Sequence, residues 1–289
     1  MAITNFIPEV WSAKLLTALE KSLVYAAAGV VNRDYEGEIS QYGDTVHITN
    51  LVDPTIGSYT AHTDITIEDV DDATQALTIT QSPYFAFEVD DIEKRQARGT
   101  VLDEQARRAA YLLRDKADQY VAGLMATGVD AGNILAEATV TAATAYETLV
   151  DLGTTLTEDN VPFEGRWAIV TPKFYGLLLK DDRFVAAGDE AGAATRANGV
   201  VGSAAGLSIR VSNNPPDGPG AGAGKLLIAG TSIATTYAEQ IAKVESFKME
   251  KRFNEAIKGL HLYGAKVVGP TALAAVEVIV LWRARGRSG

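Results

Sequence analysis

Apolar residues first recur at helical spacing. Pro8 suits the first turn of a helix, and Val10, Leu16, Leu19, Leu23 and Ala27 share one face as far as Gly29. From Tyr35 the period drops to two. Val46 and Ile48, Ile65 and Ile67, Leu77 and Ile79, then Phe85, Phe87 and Val89 alternate with polar neighbours, which predicts strands with one apolar face. Gly43-Asp44, Asp53-Pro54, Gly57 and Asp71-Asp72 supply the turns. Thr100 and Asp103 then form a capping-box-like start to a long helix, with Leu102, Ala106, Ala109, Leu113, Ala117, Tyr120 and Leu124 on one face and Gly128 as its stop. Its predicted length is about 40 Å.

Beyond it, residues 145 to 155 predict a short helix, WAIVTP at 167 to 172 a buried strand stopped by Pro172, and KFYGLLLKDDRF a helix. The small-residue stretch 188 to 206 reads as loop, LSIRVS at 207 to 212 as a strand and NNPPDGPGAGAGK as a flexible surface loop. KLLIAG is a further strand, and the stretch from Thr235 to Val268 is mixed. The last apolar run, ALAAVEVIVLW, predicts a strand that returns to a sheet begun much earlier. The class is α+β with discontinuous domains, and no repeat of fixed period is present.

Composition narrows the function classes. At 289 residues, 47% hydrophobic and 22% charged, the chain is long enough to bury roughly 75% of its unfolded surface. The absence of Cys excludes disulfides, thiolate metal sites and a thiol nucleophile. No window reaches the ~20 apolar residues that span a bilayer, and the N-terminus lacks a signal-peptide pattern, so a soluble protein without a membrane partner is expected. A formal net charge of −11 argues against a protein that coats nucleic acid, since phosphate affinity comes from clustered Lys and Arg.

The candidate chemistry is thin. His47, His62 and His261 fall in separate segments without ligand spacing, and read as ordinary polar or half-buried histidines. The acids Glu68, Asp69, Asp71 and Asp72 lack the calcium-loop pattern and read as a solvated or partner-facing turn. GPGAGAG at 218 to 224 precedes Lys225 but leads into a strand, so it is no phosphate cradle. Ser203 has no assignable base, and the pairs Asp181-Asp182 and Asp90-Asp91 are adjacent without forming an acid/base arrangement. No catalytic, cofactor-binding or metal-ligating residue is assigned, and no enzyme activity is expected. The tail arginines Arg283, Arg285 and Arg287 read as solvated.

One feature of the charge pattern stands apart. From Asp34 to Asp91 there are thirteen acidic residues and no Lys or Arg, while bases gather from Lys94 onward and again at Lys243, Lys248, Lys251, Arg252, Lys258 and Lys266. A lightly apolar hairpin is marginal alone. The segregation predicts that its host is the basic body of another copy, in a heterologous contact that closes into rings or shells.

This order of elements resembles the major capsid (coat) proteins of tailed bacteriophages, the Hong Kong 97 fold. The resemblance is carried by the opening IPEVWSAKLLTALEKSLVYAAAGVVNRDYEGEISQYGDTVHI, the strand-Pro-helix IVTPKFYGLLLKDDRF and the closing EAIKGLHLYGAKVVGPTALAAVEVI. The first and third are similar to the coat-protein branch that uses a separate scaffolding protein. The resemblance implies an N-terminal arm at 1–33, an extended loop at 34–91, a peripheral domain with its spine helix at 92–142, an axial domain at 143–232, a peripheral continuation at 233–269, and a final axial strand and basic tail at 270–289. It implies self-assembly through hexamers and pentamers into an icosahedral head shell in the virion, assembled in the host cytoplasm. Scaffolding, portal and decoration proteins would be the partners, and double-stranded DNA would be enclosed without sequence-specific binding. No cofactor is implied. With no Lys between Asp34 and Asp91, the isopeptide weld that some relatives make from that loop is not expected. The alternatives are an encapsulin-like bacterial nanocompartment shell and, from another class, an α+β hydrolytic enzyme.

Overall fold

A computed structural model describes residues 23–35, 43, 45–51, 56, 58–59, 64, 72–90, 100–181, 202–220, 224–248 and 254–280. In chain order the elements are β1 (Thr45–Leu51), β2 (Asp72–Thr78), β3 (Tyr84–Asp90), α1 (Thr100–Gly128), β4 (Ile134–Val140), α2 (Ala145–Glu158), β5 (Trp167–Val170), α3 (Pro172–Leu178), β6 (Ser203–Ala204), β7 (Leu207–Val211), β8 (Lys225–Gly230), β9 (Thr235–Lys248), β10 (Asn254–Val267) and β11 (Leu273–Val280).

In the six-stranded sheet, ordered β4-β11-β8-β5-β7-β6, the central strands β11, β8 and β5 are buried on both faces. Successive side chains point to opposite faces, so one strand feeds two cores. Ala168 and Val170 of β5, Leu227 and Ala229 of β8, and Ala274 and Val276 of β11 meet Leu149, Leu152 and Leu156 of α2 and Phe174 and Leu178 of α3. Their neighbours Trp167, Ile169, Leu226, Ile228, Leu273 and Ala275 meet Ala117, Val121 and Met125 of α1, together with Tyr25. Two-sided burial explains why WAIV, KLLIAG and LAAVEVIV read as unbroken apolar runs. The late-returning strand is confirmed: β11 pairs parallel with β4 and antiparallel with β8.

The second sheet, β3-β10-β9, is built on the long antiparallel pair β9 and β10, which occupies the stretch left as mixed by the sequence. A separate antiparallel pair, β1 with β2, holds Thr45 opposite Thr78 and Leu51 opposite Asp72.

Several expectations need correction. β3, from the end of the 34–91 stretch, pairs with β10 in this sheet. β4, from within 92–142, lies in the six-stranded sheet beside β11. Residues 23–29 were expected to finish the opening helix; they form turns, because the Asp118 carboxylate of α1 accepts the N–H groups of Val24 (3.0 Å) and Ala26 (3.3 Å). The remainder of that helix, the Ile65/Ile67 strand, the Thr100 and Asp103 side chains and the tail arginines lie outside the described residues. Ala109, Leu113 and Ala117 of the predicted face of α1 are buried, but toward its C-terminal end the buried face shifts by one position to Val121, Ala122 and Met125, with Tyr120 and Leu124 only partly buried. Within 188–206, Ser203 and Ala204 pair with β7 as a short strand.

Candidate functional site

The acidic hairpin has its root on its own subunit. Val46 and Ile48 of β1, Leu77 of β2 and the following Ile79 form a small core with Ala238 of β9 and Leu262 of β10. The approach is close. A Cβ on Gly264 of β10 would lie 2.6 Å from the Thr78 carbonyl oxygen, so only glycine lets the hairpin settle there. The expectation that the hairpin's apolar residues lack a host in their own chain is therefore wrong for residues 45–48 and 77–79: period-two alternation shows that one face is apolar but not which surface it meets. Away from this root the described residues Ile56 and Tyr59 are 95% and 70% exposed. Glu68, Asp69 and Asp71 lie outside the described residues.

A buried ionic cluster fastens the preceding segment to the same sheet. Asn32 donates its N–H to Thr235 (2.9 Å) and accepts that of Tyr237 (2.9 Å). This aligns Arg33 with Glu239 of β9, and the two form a salt bridge. Tyr237 donates its hydroxyl to Glu239 at 2.6 Å, and His261 Nε2 of β10 lies 3.2 Å from the same carboxylate. Burial by itself would raise the Glu239 carboxyl, but the His261 hydrogen bond, the Arg33 charge and the Tyr237 hydroxyl together bring it below its ordinary value. Asp118 behaves oppositely, since burial holds its carboxyl up despite the backbone N–H groups it accepts and the Arg114 charge.

His261 is thus fully buried in a polar network, while His47 is exposed on β1 and His62 lies outside the described residues. Sequence reasoning missed this cluster because Arg33, Tyr237, Glu239 and His261 share no spacing motif. Alternation puts Tyr237 and Glu239 on one face, but His261 joins them only through the β9–β10 register.

A cleft of about 370 Å³ opens among Thr171, Lys173, Ser212, Asn213, Lys225 and Val280, and among the described residues its lining contains no Asp, Glu or His to act as acid or base. Ser203 is an exposed residue of β6. Asp181 is buried, and Asp182 lies outside the described residues. Among the described residues no group of three or more acidic, His or Cys side chains is placed to hold a metal, and no helix is long and apolar enough to cross a membrane.

The described residues thus form a sheet with cores on both faces, a long helix against one of them, and a second sheet that carries the root of the acidic hairpin. The model of the family described as phage capsid protein matches residues 74–276. The chain belongs to the phage capsid protein family. Solved structures agree with this phage capsid protein over most of its length. A chain of Mycobacterium phage Che8 is 29% identical with a TM-score of 0.72, covering 88% of this chain and 91% of that one. The capsid of cyanophage P-SCSP1u gives 16% identity and a TM-score of 0.69 over 86% of each chain. The capsid of Myoviridae phage XM1 gives 16% and 0.58 over 87% of this chain and 90% of that one. No curated protein matches the chain. The phage capsid protein is a structural subunit that self-assembles into the head shell of the virion, and the matches favour neither the nanocompartment nor the hydrolytic reading.

Proposed function

We propose that this capsid protein builds an icosahedral head of hexamers and pentamers around double-stranded DNA, and that its acidic hairpin is the arm that reaches over a neighbouring subunit. One observation carries the reading: the described hairpin residues that are buried on their own subunit lie at its root, while Ile56 and Tyr59 beyond β1 stand 95% and 70% exposed. Apolar side chains that far from their own core gain from burial only when another body covers them.

In this reading residues 1–33 are the N-terminal arm and 34–80 the extended loop. The β3-β10-β9 sheet with α1 is the peripheral domain, and the six-stranded sheet with α2 and α3 is the axial domain. DNA is held by confinement, consistent with a net charge of −11. No catalysis and no cofactor enter the function. The similarity of the opening and closing segments to the scaffold-dependent coat proteins supports assembly in the host cytoplasm on a separate scaffolding protein, with a portal and decoration proteins completing the head.

The test is a deletion between the paired strands. Replacing residues 56–69 with a short Gly-Ser link leaves β1, β2 and the root core untouched. The expected product is a folded subunit, with circular dichroism and unfolding temperature close to wild type, that forms no closed particles by electron microscopy. Shells of wild-type size from this variant refute the arm's role.

A further inference from the structure

The apolar run ALAAVEVIVLW outlasts β11: after Val280 come Leu281 and Trp282, and only then Arg283 and the basic tail. Residues from Leu281 onward lie outside the described ones, but the place they leave from is well defined. Val280 lines the cleft of about 370 Å³ that opens just past the ends of β5 and β7. Val278 lines it too, and both valines pack into the core under α2 and α3. β8 begins at Lys225, opposite Val278, while β4 continues to Val140, opposite Val280. Beyond Val278, therefore, β11 is paired on one side only among the described residues. The cleft occupies the open side.

Its lining suits an aromatic ring with one polar edge. The two valines make an apolar floor, and the buried Pro215 and the helix-opening Pro172 flank it. Ser212 and Asn213 bring side-chain oxygens that can accept an N–H. Lys173, on the exposed rim, can lie over a ring face, and Trp is the best partner for such a cation. An anion is less well served, because the second lysine, Lys225, is already paired with Asp217 at 2.5 Å. An apolar cavity of roughly 150 Å³ holds a benzene ring, so this cleft has room for a two-ring indole.

We propose that the cleft is the seat of Trp282 from the same chain, which clasps the C-terminal segment to the end of the sheet. Side chains on a strand return to the same face every second residue, so residue 282 follows Val278 and Val280 on the cleft side when the strand runs on. The distance from Val280 is about 7 Å of extended chain, well within reach. Tethering makes the ring's local concentration far higher than that of any free competitor. Seated there, the indole covers the half-buried Val280 and donates its N–H to the Ser212–Asn213 wall. The clasp fixes where Arg283, Arg285 and Arg287 leave the six-stranded sheet.

Trp11, Trp167 and Trp282 are the only tryptophans, so the emission lost between wild type and W282F reports Trp282 alone. In the full-length subunit, kept dilute enough to remain unassembled, this difference signal should be blue-shifted and severalfold less quenched by acrylamide than in urea. A signal as accessible as in urea overturns the proposal. So does protection that appears only when subunits assemble, which assigns the ring to a cleft on another copy. Asn213→Phe fills the cleft from an exposed wall position and should raise the quenching of Trp282 severalfold while circular dichroism stays unchanged. Quenching that N213F leaves at the wild-type level places the indole elsewhere and overturns the proposal as well. Should W282F fail to fold, N213F compared with wild type still decides, because Trp167 is 1% exposed and common to both.

Discussion

Glu239 ties stability to pH through a single side chain. Its carboxyl lies below the ordinary value because His261, Arg33 and Tyr237 outweigh the cost of burial. A depressed folded value means that the stabilisation is complete above the unfolded pKa, near 4.5, and is lost as pH falls through the folded one. Asp118 has the opposite sign: burial raises its carboxyl, so its ionised form costs stability at neutral pH and that penalty eases as pH falls. Replacing Glu239 with Gln removes the carboxylate that the Arg33 guanidinium and the buried His261 share. Breaking a buried pair in this way costs about 3 kcal/mol. Urea unfolding of E239Q should show that loss at neutral pH, and the gap to wild type should narrow as pH drops below about 4.5, where the unfolded carboxylate takes up a proton that the native one does not, until pH has fallen through the folded value. A loss that stays constant with pH would assign the effect to packing and not to charge.

At the scale of elements, the hairpin shows what alternation reveals and what it hides. The sequence placed Val46, Ile48, Leu77 and Ile79 on one apolar face, and the register of β1 with β2 bears this out. The surface receiving that face depends on Gly264, more than 180 residues away from Ile79 in sequence and unremarkable as a glycine in an alternating strand. The buried runs of β5, β8 and β11 were legible because burial on both faces leaves a continuous apolar signal. β9 and β10 were less so, since one face carries Tyr237, Glu239 and His261 in a polar network that blurs the period. The glycine-rich stretch was legible as a loop, but nothing in it announces that Gly218, Gly220 and Gly224 lie against the buried Glu277 of β11. Gly264→Ala tests the element directly. Its Cβ would press on the Thr78 carbonyl at 2.6 Å, a backbone contact that yields only if the hairpin root lifts. Overpacking of this kind costs roughly 1–3 kcal/mol. The expected outcome is a lower unfolding temperature together with increased amide exchange in β1 and β2, while β5, β8 and β11 keep their protection; uniform loss of protection across the six-stranded sheet would show instead that hairpin and body unfold as one unit.

At the scale of the whole molecule two forces bear on how copies meet, and salt separates them. Thirteen acids and no Lys or Arg lie between Asp34 and Asp91, against bases gathered elsewhere in the chain, and in the proposed arm contact this segregation would orient one copy toward the next. Each exposed ion pair contributes about 0–1 kcal/mol, so the pattern acts on encounter and register more than on final affinity. The exposed Ile56 and Tyr59 supply the other force, apolar burial that salt does not screen. Electrostatic reach shrinks from about 10 Å at 0.1 M ionic strength to about 3 Å at 1 M. Light scattering should therefore show the initial rate of shell assembly falling severalfold across that range, while the unfolding temperature of the free subunit changes little, because its three cores are apolar. A rate that holds steady or rises with salt would hand control of assembly to the apolar residues beyond β1. In that event Ile56→Ser and Tyr59→Ser, rather than charge reversals in the acidic run, become the substitutions that stop shells from forming.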